Sequence, residues 1–282
     1  MLTSNPFSEL STLIPATAMQ GYVLLMLLLV VGGTLIDIIH KKSARYFFAA
    51  ARKSREARSR DVNVAEKTSV AAKTLAHDVL ASGEFCNVRR RAAHLLTMYG
   101  FLLFVVTTAV MLFAYPAPDA ATPAILPLLW HLGALMVCIG GYWFWFFIRV
   151  DVAAEGNPWY RVMRADLFVL SLLAMTTFAL VWSALQAVGA GAWATLFFGL
   201  FILASTVLFG SVPWSKFAHM FFKPAAAFQK RVTKADGSME NLPEIPDLSD
   251  PAVHQRYPDI PEYLGKNPPN MGLGIKRETP NH

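Results

Sequence analysis

The chain has 282 residues, of which 55% are hydrophobic and only 16% charged, for a mean hydropathy of +0.41. Soluble domains carry about a quarter charged residues, so this balance excludes an ordinary soluble enzyme and indicates an integral membrane protein. Two cysteines, Cys86 and Cys138, cannot build a disulfide framework, a tetrahedral zinc site or an iron–sulfur cluster. A formal charge of +6 would suit nucleic acid, but the cations are distributed as membrane flanks, which excludes that reading.

Residues 1–16 hold Pro6 and Pro15 and no lysine or arginine. They lack the basic n-region and the cleavage site of a signal peptide, which predicts that the first apolar segment is retained. That segment, Thr17 to Ile39, is broken only by Gly32, Gly33 and Asp37 and can cross a hydrocarbon core of roughly 30 Å. Residues 41–93 form a basic polar loop. Within it, Arg45 to Arg60 carries Tyr46-Phe47-Phe48 and predicts an interfacial amphipathic helix. Val64 to Leu80 has helical spacing with Ser82-Gly83 as its stop. Such a run of cations attracts anionic lipid headgroups.

Four further spans follow. The second runs from His94 to about Tyr115, directly behind Arg89-Arg90-Arg91. The third covers Ala124 to Ile148 and ends in the aromatic belt Tyr142 to Phe147 with Arg149 as a cationic anchor. The fourth takes Asp166 to Val188, the fifth Ala192 to about Val212, with Gly189-Ala190-Gly191 as the tight reversal between them. Gly32-Gly33 and Gly140-Gly141 predict close helix packing. Lys223-Pro224 predicts the end of the apolar stretch after the fifth span. Residues 225–282, broken by repeated prolines, predict an extended tail, either solvated or lying across a soluble partner.

The expected fold is therefore all-α, with five transmembrane helices. Segments 1–16, 116–123 and 189–191 share one side and hold none of the 25 lysines and arginines. The positive-inside rule then puts the N-terminus outside and the C-terminus in the cytoplasm. Four regions result: 1–40, the N-terminus and first span; 41–93, the basic loop; 94–224, the four-helix membrane core; and 225–282, the tail.

Of seven histidines, His77, His254 and His282 read as surface residues. His94 and His219 differ, because the topology brings both to the cytoplasmic leaflet. An ionisable side chain at a membrane boundary asks for a partner. Two antiparallel helices presenting imidazoles at matching depth can ligate a haem iron from both sides, an arrangement suited to electron transfer. Arg90, Arg91 and Lys216 would then be neighbours of the haem propionates; two plain interfacial histidines are the alternative. His131, near the outer surface beside Trp130, is a belt histidine, a quinone contact, or with Met111 a ligand of a second haem. Asp37 and His40 share a helix face at the cytoplasmic boundary and form a candidate quinone or proton site.

Arg-Arg-x-x-His94 followed by Met98-Tyr99-Gly100-Phe101, together with Trp214-Ser215-Lys216-Phe217-Ala218-His219-Met220 after the fifth span, resembles one cytochrome b family. It is the family of respiratory nitrate reductase gamma subunits and the related membrane subunits of heterodisulfide reductase-like complexes. Over roughly residues 17–224 the chain is most similar to its members that anchor dissimilatory adenylylsulfate reductase in sulfur-oxidising bacteria. The resemblance implies haem b with His94 and His219 as axial ligands. It also implies a cytoplasmic iron–sulfur flavoprotein as partner (adenylylsulfate reductase, alpha and beta subunits), oxidising sulfite and delivering electrons to membrane quinone. In relatives with two haems the second ligand pair would fall near Phe104 and Phe201, neither of which can ligate iron. Two rivals stand beside this reading, a haem-free docking anchor and a small transporter; the latter favours broken helices with mid-bilayer charges, which this chain lacks.

Overall fold

The computed structural model describes residues 2–40, 43–83, 85, 87–117, 119–214, 219–240, 242 and 250–258, and among them there is helix and turn but no strand. Five helices are long and apolar enough to cross a membrane, and the protein is an all-α multi-pass membrane protein. A short α1 (Pro6–Leu10) precedes the first span, α2 (Ala16–His40). The basic loop folds as α3 (Ser43–Glu56) and α4 (Val64–Lys73), and α4 continues as a π-helical turn over Thr74–Leu80.

The second span, α5 (Val88–Ala114), begins six residues earlier than expected. Its Asn87 side chain accepts bonds from the Arg89 and Arg90 amides at 3.0 and 3.2 Å, satisfying donors that a helix start leaves open. The arginine triplet is thus the first turn of the span. α6 (Ile125–Trp143) continues as a π-turn over Phe144–Ile148, and the short α7 (Val150–Ala153) follows. α8 (Leu167–Ala187) and α9 (Gly191–Gly210) complete the spans. The reversal between them places Gly189 at φ +74°, a left-handed backbone that only glycine adopts without strain.

The spans pack as two hairpins, α5 on α6 and α8 on α9, joined through α6 and α8, with α2 against α9 and α5. Glycines on both members set the α5–α6 crossing. A Cβ on Gly100 would lie 2.7 Å from the Gly133 carbonyl oxygen, one on Gly133 2.8 Å from that of Gly100, and one on Gly140 2.7 Å from that of Ala93. Small residues that let backbones approach this closely drive helix association in lipid. Of the glycine pairs expected to act so, Gly33, Gly140 and Gly141 do; Gly32 faces open space.

The lysines and arginines among the described residues fall at one end of the bundle, here the basic end. The other, acidic end is closed by α1. Asn5 donates to the Tyr115 carbonyl and to Thr122, and Gln186 donates to the Pro6 carbonyl and to Glu9 at 3.0 and 2.7 Å. Phe7 enters the bundle between Trp130 and Trp182, with ring centroids 5.8 and 5.4 Å away.

The tail departs from expectation. α10 (His219–Ala235) continues through Pro224, which lies inside the helix; the contacts of its later residues with the loop helices offset the one bond the proline removes, and Ala225 to Ala235 contains no other proline. Ala227 and Thr233 are buried, and α10 rests on α3, α4 and the 74–80 turn. Its last carbonyls are taken by the loop: Ala235 accepts from Arg60 Nε at 2.6 Å, and Asp236 accepts from the Ser59 and Arg60 amides. A further helix, α11 (Pro251–Arg256), is capped by Asp250. The remainder of the tail, 241, 243–249 and 259–282, where the sequence predicts a docking segment, lies outside the described residues.

Candidate functional site

His94 stands one turn into α5, behind Arg90 and Arg91. Arg90 Nη2 reaches the Ile148 carbonyl at 3.4 Å, and Arg91 Nε donates to the Ala81 carbonyl at 2.7 Å. Both expected propionate neighbours therefore already brace the start of α5 against adjoining turns. The third, Lys216, lies outside the described residues.

The His94 ring is exposed at the bundle surface and lies 4.9 Å from the Phe85 ring. It has no hydrogen bond to any described residue. Over that same Phe85 ring sits the Lys223 ammonium, 4.8 Å from the centroid. Lys223 is one helical turn beyond His219, so the two share a face of α10. The side chain of His219 lies outside the described residues.

His131 contrasts with His94 in every respect. It is 3% exposed, with Nδ1 at 2.7 Å from the Pro127 carbonyl and Nε2 at 2.8 Å from the Ser183 hydroxyl. A carbonyl only accepts, so Nδ1 carries the proton and Nε2 receives the Ser183 hydroxyl. Trp130 lies edge-on at 4.9 Å. Both ring nitrogens are committed to the core.

Phe104 and Phe201 meet edge to face at 6.3 Å. Phe104 stacks on Trp130 and Phe201 on Trp182, at 5.0 and 5.8 Å. Aromatic side chains, all buried, fill the space between α5 and α9 at this depth. Asp37 is buried on α2, whereas His40 at its end is exposed; the pair occupies one helix face without forming a closed site. Cys138 contacts Thr176 and Thr177, and Cys86 lies outside the described residues. No cluster of three or more metal-binding side chains occurs among the described residues.

Two ion pairs were not anticipated. Arg149, expected as an interfacial anchor, is buried: it pairs with Asp166 at 2.9 Å, donates to the Arg161 carbonyl at 2.6 Å, and lies 4.0 Å over Trp145. The second joins Asp78, beside His77, to Arg231 of α10 by two bonds of 2.6 and 2.7 Å. That guanidinium holds the Asp78 carboxyl below the usual range, against the opposing effect of burial. Each acid stands among several others in sequence, Asp78 with Glu56, Asp61, Glu66 and Glu84 in the basic loop and Asp166 with Asp151 and Glu155 near its span boundary, so nothing local singles it out. Pairing partners that lie 17 and 153 residues apart left no local pattern.

No protein family, curated protein or solved structure matches this chain.

Proposed function

We propose that the chain is a haem b membrane anchor in a bacterial cytoplasmic membrane, passing electrons between a cytoplasmic iron–sulfur flavoprotein and the quinone pool. The observation that carries this reading is the row His94, Phe85, Lys223. It sets Lys223, one turn beyond position 219 on α10, near a histidine that has no hydrogen bond to any described residue. A histidine at a membrane boundary left in this condition is costly unless a ligand engages it.

The residues fit the group. His94 offers a free imidazole, His219 supplies a second from an adjoining helix, and Lys223, Arg90 and Arg91 concentrate positive charge where propionates would need it. Bound between two imidazoles, haem b supplies one-electron transfer without an open iron position. The Phe104–Phe201 contact supports one haem in each chain, since neither ring can ligate and both are packed against tryptophans.

The charge distribution supports a cytoplasmic basic end and an N-terminus outside. The ordered α3, α4 and α10 then form a cationic platform for a soluble partner, and adenylylsulfate reductase working toward sulfite oxidation remains the partner that best suits the sequence. Haem stoichiometry tests the reading. Protein purified after expression with ample haem precursor is expected to hold one haem per chain. A value of two would contradict the aromatic filling, and a value of zero the function itself.

A further inference from the structure

Residues 74–85 touch both histidine-bearing helices at once. Toward α10, Asp78 accepts two bonds from Arg231, and Phe85 lies beneath Lys223. Toward α5, the Ala81 carbonyl accepts from Arg91, the Leu80 carbonyl accepts from the Tyr99 hydroxyl at 2.7 Å, and Phe85 meets His94. Arg91 and Tyr99 flank His94 along α5. Beyond its packing on α4, the side-chain contacts described for this segment bear on the two helices that carry the histidines.

Local structure explains why the segment can do this. The final carbonyls of any helix lack intrahelical partners, and a cation near that end also meets the negative pole of the helix dipole. Leu80 and Ala81 end the π-turn and offer just such carbonyls to α5. Gly83 then folds the chain back, donating to the His77 carbonyl at 2.7 Å; a Cβ at this position would overlap the His77 ring. The return brings Phe85 up between His94 and Lys223.

α10 therefore has two fixed points on this bracket, Lys223 near its start and Arg231 two turns on, with Pro224 between them. A proline removes one helix bond and permits a bend, so the contacts of α10 with α3, α4 and Ser59–Arg60 at its far end leave the direction of its start to the bracket. We propose that the Asp78–Arg231 pair is a strut that sets the direction of α10 against α5 and so positions residue 219 opposite His94. Its geometry is independent of any cofactor; its use as a positioning device for haem ligation rests on the function proposed above.

Two readouts on the full chain test the strut. Nitroxides at Val88→Cys and Ala226→Cys, both exposed sites, in a background of Cys86→Ser and Cys138→Ser, report the α5–α10 distance by pulsed paramagnetic resonance. The parent is expected to give one narrow distance. Asp78→Asn and Arg231→Met should each broaden it, and the double variant should broaden it no further than either single. In the haem-loaded protein the same variants should lose at least half of the low-spin signal while retaining bound haem, with Arg231→Lys intermediate because it keeps charge but not the fork. Unchanged distances and spin state in both single variants would overturn the strut. A narrow distance in the parent that broadens in both single variants, with no haem bound by the parent, would uphold the strut and overturn the haem reading instead.

Discussion

The two ends of this molecule solve the same problem, a histidine near a membrane boundary, in opposite ways. At the acidic end His131 is sealed: both nitrogens are bonded, α1 closes the bundle above it, and Trp130, itself packed on Phe7 and Trp182, lies edge-on to its ring. At the basic end His94 is exposed, meets the Phe85 ring, has no hydrogen bond to any described residue, and stands beside a helical platform held by polar bonds. Sealed polar groups support the fold, whereas an unbonded one at a boundary is where a ligand can bind. The fold is consolidated at one end and left chemically open at the other.

The most severe way to break that contrast is to disrupt the bundle that supports both ends. Gly133→Leu forces α5 from α6 where even a Cβ would lie 2.8 Å from the Gly100 carbonyl oxygen and should cost on the order of 3 kcal/mol or prevent folding. Gly32→Ala, facing open space, should be silent. Thermal unfolding in detergent separates the two.

A smaller effect belongs to the basic end alone. Asp78→Asn should cost about 1–2 kcal/mol of platform stability, less than for a sealed pair because Arg231 remains a third exposed. The pH dependence follows from the lowered Asp78 carboxyl. Its contribution is complete above the ordinary carboxylate range near about pH 4 and is lost as pH falls through the depressed folded value. Limited proteolysis of α10 against pH should therefore show release only in acid, and in Asp78→Asn at neutral pH as well.

At the acidic end, Ser183→Ala leaves His131 Nε2 buried without its donor and should cost about 1–2 kcal/mol. It should leave α10 unaffected, which sharpens the independence of the two ends. Least of all, Glu66→Gln breaks an exposed pair with Arg60; equilibrium unfolding should show no measurable change, as is usual for solvated ion pairs.

How far the sequence disclosed this depends on the length scale of each signal. The spans were legible because twenty apolar residues have few other fates, and Gly189 announced its reversal. Asn87 should have located the start of α5, since a capping side chain before a helical run is a local signal; the apolar pattern drew attention to His94 instead. Pro224 misled for the opposite reason. Proline disfavours a helix interior, but here tertiary contacts carry α10 onward. The burial of Arg149 and the Asp78–Arg231 bridge depend on partners brought together only by the fold. For the same reason His131 could be assigned three roles from sequence, and Ser183 and Pro127 were needed to commit it to the core.

The central claim is that the open histidine at the basic end is a haem ligand. A dithionite-reduced minus oxidised spectrum of the purified wild type, His94→Ala, His219→Ala and His131→Ala tests it most directly. The account predicts a low-spin b-type spectrum in the wild type, lost in the His94 and His219 variants and kept wherever His131→Ala folds. A folded wild type without haem bands, or a spectrum abolished by His131→Ala alone, would contradict it.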